Sequence, residues 1–129
     1  MLNRDGIRKK VHGAPKQILA NVELQASVGC IVPKSLGVDV GDGITLAKAG
    51  TPINVDFMNL QALANAVADG TPMNAVLLHD VDVSRGNANG TALYFGVVNV
   101  NCVESDVAKA ITDAKSVDGA SPLLVFGKF

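Results

Sequence analysis

Short apolar runs, each stopped by glycine, proline or asparagine, recur along this chain at a spacing of roughly ten residues. That punctuation confines the chain to short strands joined by turns. Between Gln17 and Val32, the residues Ile18, Ala20, Val22, Leu24 and Ala26 alternate with Gln17, Leu19, Asn21, Glu23 and Gln25. A period close to two predicts one strand with one buried face. Pro33 and Gly37 end it. Residues 38–40 and 44–47 flank Gly41-Asp42-Gly43, which reads as two short strands around a tight turn. Gly50-Thr51-Pro52 then breaks the pattern, because proline lacks a backbone donor and fixes its own φ.

Over residues 57–68, Leu60, Leu63, Ala64 and Val67 recur at helical spacing and favour a short helix ending before Gly70. An irregular excursion with a small apolar footprint fits the same residues. Residues 75–83 and 91–98 are β-rich and separated by Arg85-Gly86-Asn87-Ala88-Asn89-Gly90. Asn89-Gly90 is the turn signal of a hairpin, since both central residues of that turn take positive φ. Glu104 or Ser105 opens a helix whose stripe is Val107, Ala110, Ile111 and Ala114, and residues 122–126 form a closing strand. The expected fold is mainly β with one or two short helices, a small barrel or sandwich.

With 129 residues the chain suits a single domain, here residues 17–129, preceded by an arm over residues 1–16. The arm holds Arg4, Arg8, Lys9, Lys10 and Lys16 against Asp5, a net charge of +4. The body carries six basic and eleven acidic groups, a net charge of −5. A basic arm of this kind is either a solvated tail or a docking arm for an acidic surface. Direct nucleic-acid binding is not expected, because Tyr94 and four phenylalanines give no interleaved stacking platform. The longest apolar stretches, such as residues 75–78 and 92–95, fall far short of the ~18 residues a membrane-spanning helix needs. No apolar block follows the basic residues of the arm, so they do not read as an export signal, and the expected site of synthesis is a cytoplasm. The mean hydropathy of +0.29 is high for a small soluble monomer and predicts apolar surface covered by copies of the chain or by a larger partner.

The chemistry-bearing residues are few. Asp80 and Asp82 sit two apart, which on a strand puts both carboxylates on one face, where they could hold a divalent cation or act as an acid–base pair. His79 would point to the other face, and a solvated outer face opposite buried Val81 and Val83 is the simpler reading. His12 lies in the arm with no evident task. Cys30 and Cys102 are 72 positions apart with no ligand spacing, so both are expected to be small buried hydrophobes. Gly41-Asp42-Gly43 and residues 86–90 lack the Lys-Ser/Thr of a phosphate loop, and no serine lies in a Gly-x-Ser-x-Gly elbow. Asn89-Gly90-Thr91 matches a glycosylation acceptor only formally. The expectation is no enzyme, no metal and no cofactor. The alternative is a small metal-dependent or thiol enzyme using Asp80, Asp82 and His79 or Cys30.

Gly50-Thr51-Pro52, Val76-Leu77-Leu78-His79-Asp80-Val81-Asp82-Val83-Ser84, Gly86-Asn87-Ala88-Asn89-Gly90-Thr91-Ala92-Leu93 and Gly96-Val97-Val98-Asn99-Val100-Asn101 occur in that order, before a helix and a final strand. Over about residues 48–129 this arrangement resembles the capsid decoration (cement) and head-fibre-base proteins of tailed bacteriophages. The resemblance implies a small β-rich protein on the outer surface of the virion capsid, often trimeric at three-fold or quasi-three-fold positions, that stabilises the expanded shell. Its implied partners are the major capsid protein and neighbouring copies, as a homotrimer in the family's manner, and it implies no catalytic residues. The amino-terminal third matches nothing in that family, and no long fibre-forming extension follows Phe129, so a compact decoration protein is expected rather than a head fibre. On that reading Arg4, Arg8, Lys9, Lys10 and Lys16 are the capsid-binding candidates.

Overall fold

The computed structural model describes residues 17–67 and 71–129. Two sheets form the body. Strands β1 (Gln25–Val32), β8 (Ala88–Asn99), β6 (Ala75–Leu77), β4 (Pro52–Asn54) and β5 (Asn65–Ala66) lie side by side in that order, with β9 (Leu124–Gly127) parallel to the end of β8. The smaller sheet is β2 (Val38–Gly41), β3 (Ile44–Ala47) and β7 (Val81–Asp82). The one α-helix among the described residues, α1 (Ser105–Lys115), packs on the larger sheet's far side. The protein is mainly β and forms a small sandwich without closing into a barrel.

The period-two pattern works through this arrangement. In β1, Val28, Cys30 and Val32 face a core between the sheets, with Leu77, Ala92 and Val83. Neighbouring residues of β6 and β8 face opposite sides, so Val76 and Leu93 join a second core with Ile18, Leu124 and Ala114 of α1. Both faces of the central strands are therefore apolar, as a sheet covered on both sides requires. Fully buried Leu77 and Leu93 each contribute about 1.5–3 kcal/mol of transfer free energy.

Several expectations need correction. The single strand over 17–32 is two pieces. Residues 18–20 pair with the end of β8, where Leu19 bridges Val98 and the Ala20 N–H donates to the Val97 carbonyl at 2.9 Å. The chain then loops out, because the Asn21 side chain accepts from the Glu23 N–H at 3.1 Å and turns the backbone. Only from Gln25 does it rejoin β8.

The short helix expected over 57–68 does not form over the described residues 57–67. Asp56 accepts from the Met58 N–H at 2.9 Å and Asn59 from the Gln61 N–H at 3.3 Å. These local side-chain bonds compete with a helical ladder, and of the supposed stripe Leu63 is left exposed while Ala64 is buried. Pro52 does not end a strand but begins β4, the position in a strand where a missing donor is tolerated.

The expected hairpin is also built differently. β6 and β8 do pair antiparallel, Val76 with Leu93 and Leu77 with Ala92. A bend at Leu78–His79 splits the run over 75–83, and β7 crosses to the smaller sheet to pair with β3. Asn89-Gly90 is not the turn. It lies inside β8 opposite Ile31 and Cys30, while the turn falls at residues 84–86, where Gly86 takes φ +130°. The hairpin of β2 and β3, by contrast, stands as its sequence suggests, with Gly41, Asp42 and Gly43 all at positive φ.

Candidate interaction surface

The acidic pair falls in the bend before β7 and in β7 itself. Asp80 is half-buried, and its Oδ1 accepts from the N–H of buried Ala49 at 2.7 Å. The Asp82 Oδ1 accepts from the Ser84 N–H at 2.9 Å, capping the turn that follows. Each carboxylate thus supports the backbone at its own position. His79 is exposed in the bend, so the strand alternation expected to set its direction does not apply there. Among the described residues no group of three or more His, Cys, Asp or Glu side chains is placed to hold a metal ion.

Cys30 lies in the core between the sheets, and burial pushes its thiol above the ordinary value. At neutral pH it is protonated and a weak nucleophile. Cys102, expected to be buried as well, is exposed on the short 3-10 turn Val100–Cys102 that links β8 to α1. Near the start of α1, the Lys48 ammonium sits 3.1 Å from Asp106 and holds that carboxyl below its ordinary value. Asp106 is largely exposed, so this pair contributes little to stability. The basic candidates Arg4, Arg8, Lys9, Lys10 and Lys16, and His12 with them, lie outside the described residues.

What the structure brings together instead is apolar surface. The smaller sheet joins the core over the first part of β8 through Ala47 and Val81, with Val83 just past β7. Beyond it, β9 runs parallel to β8 with Leu124 beside Gly96 and Val125 beside Val97. Alternation along β9 puts Leu124 into the core under α1 with Val98 and turns Val125 to the other side, while on β8 a register shift against β1 that skips Tyr94 breaks the alternation, so that Phe95 is exposed although Leu93 is buried. Leu123 and Val125 are 56% and 55% exposed, and Phe95 38%. Leu24 and Val22 are also exposed, on the loop before β1. Beside it, Met73, Tyr94, Pro122 and Leu123 line a shallow, mostly apolar hollow of about 150 Å³.

This surface was not among the sequence candidates, although a signal for it exists. Leu123-Leu124-Val125-Phe126 is apolar at every position, whereas a strand covered on one side alternates. No family model, no curated protein and no solved structure matches the chain.

Proposed function

We propose that this protein is a structural binding protein that decorates and stabilises the outer surface of a tailed-phage capsid. It seats on the major capsid protein and on neighbouring copies of itself, as trimers at lattice junctions. The observation that carries the reading is the apolar half-sheet of Phe95, Leu123 and Val125, which among the described residues stands open beside central strands that are apolar on both faces. Contiguous apolar surface of this kind marks contact sites between proteins. The ordered resemblance of residues 48–129 to decoration proteins supports the same reading, and so does the occupation of Asp80 and Asp82 by backbone N–H groups. Function then consists of added contact area, a small gain per copy multiplied over many lattice positions.

The test is cosedimentation with undecorated heads. Val125→Lys places a charge on the exposed face of β9 without touching the core, so its melting temperature should match that of the parent chain. Its retention on heads should drop at least about tenfold, since a desolvated lysine at a contact costs more than the ~1.4 kcal/mol that a factor of ten represents. Retention equal to that of the parent would move the contact away from this face. A parent chain that never sediments with heads would remove the capsid reading altogether.

A further inference from the structure

Strand β1 is an edge of the larger sheet, and most of that edge is open among the described residues. On its inner side it pairs with β8 from Gln25 to Val32. On its outer side it is met only at Ile31, which bridges Leu63 in parallel and whose carbonyl accepts from the Ala64 N–H at 2.9 Å. The sheet order places β5 at the opposite edge, so this bridge is where the curled sheet almost closes. From there toward Gly29 the two edges part around a hollow lined by Gly29 and Ile31 on one side and Leu60 and Gln61 on the other.

Along an antiparallel strand, residues alternate between pointing their N–H and C=O groups at one neighbour and at the other. Ile31 bonds outward, so Gly29, Ser27 and Gln25 bond outward too. All three residues are exposed, and no atom lies within 4 Å of where a Cβ would stand on Gly29. Edge strands are ordinarily guarded by lysine, proline or a charge turned inward. Between Glu23 and Lys34 this segment has no charged residue, and its only proline is Pro33, just past the strand. That neutrality is local, since the body as a whole carries a net charge of −5 and two bodies repel each other elsewhere.

We propose that β1 pairs with β1 of a second copy, antiparallel across a two-fold axis at Ser27, so that the larger sheets of two copies become one. Ser27 then faces Ser27 of the partner subunit, and Gln25 faces Gly29 of the partner subunit. Each of these pairs exchanges two backbone hydrogen bonds through groups that otherwise face water. The contact is isologous: one edge meets its own copy, so it closes at two chains. Neutral side chains at the axis let the two acidic bodies approach here with least repulsion. The contact stands independently of the capsid reading. If both hold, it joins copies belonging to neighbouring trimers.

Sedimentation velocity of the full chain over a range of concentrations tests it, together with two charge variants at the axis. The parent chain is expected to form a dimer that dissociates on dilution. Ser27→Lys and Ser27→Glu each place like charges directly opposite across the axis and should raise the dissociation constant at least about tenfold. An equimolar mixture of the two variants should restore the dimer. Because Ser27 is exposed, both variants should keep the parent melting temperature. Amide hydrogen exchange at Ser27 and Gly29 should slow with concentration in the parent and stay fast in either variant alone. A parent chain that is monomeric up to about millimolar concentration, or variants that associate as the parent does, would overturn the proposal. So would protection of the Ser27 and Gly29 amides at every dilution, because the edge would then be filled from within the chain.

Discussion

Gly90 shows how one residue can be required for a reason its neighbours in sequence do not reveal. Asn-Gly reads as a turn needing positive φ, yet here the pair lies within β8. A Cβ on Gly90 would stand 2.7 Å from Val32 Cγ2 and 3.1 Å from Val81 Cγ2, so glycine lets β1 and β7 close over β8. Gly90→Val should therefore destabilise the protein by about 2 kcal/mol or more through overpacking. Gly29→Val, one residue before Gly90's partner Cys30, meets open space and should leave stability nearly unchanged. Denaturant unfolding of the two variants checks this. Equal losses would show that backbone freedom, rather than close approach, sets the need for glycine. Asp80 teaches the same lesson in polar form. Its pairing with Asp82 in sequence suggests a shared face, but its partner is the Ala49 N–H, 31 positions away, which no local pattern announces.

Among the elements, those whose sequence and burial obey one rule were legible. The β2–β3 turn needs positive φ and has glycines on both sides of Asp42. Helix α1 buries Val107, Ile111 and Ala114, three of the four stripe residues, while Ala110 stays exposed. Where local hydrogen bonds oppose the apolar spacing, as at Asp56 and Asn59, the spacing misleads. The way α1 is tied to β9 could not be read at all. Lys115 reaches past the helix end, where its Nζ donates to the carbonyls of Ala120 and Ser121 at 3.2 Å and Leu124 at 3.5 Å. Its ammonium also lies 5.7 Å from the Phe126 ring centroid. Lys115→Met keeps the apolar stem and removes the ammonium from all three carbonyls, of which Ser121 keeps the Leu124 N–H as a donor at 3.1 Å. The expected cost is about 1–3 kcal/mol. Hydrogen exchange should locate it, with the amides of β9 and the last turn of α1 opening faster than those of β2 and β3. A uniform change across both sheets would show that Lys115 does not act as a local tether.

At the scale of the whole molecule, charge is divided between an arm of +4 over residues 1–16 and a body of −5. The first buried residue of the body is Ile18, which is fully enclosed, and Leu19 follows with a backbone bridge to Val98. Removing residues 1–16 should therefore leave both cores, and the melting temperature, nearly intact. If the arm grips an acidic surface of the capsid, the shortened chain should bind heads more weakly at low salt. The deficit should shrink as salt rises, because exposed charges are screened beyond about 8–10 Å at ordinary ionic strength. What then remains at high salt is the contribution of the apolar half-sheet, and that part should vanish in Val125→Lys. Cosedimentation of the full chain, the shortened chain and each with Val125→Lys, at low and high salt, separates the two contributions. Equal binding by the full and shortened chains at every salt concentration would place attachment wholly on the β body. Binding that is lost with the arm and unaffected by Val125→Lys would place it wholly on the arm.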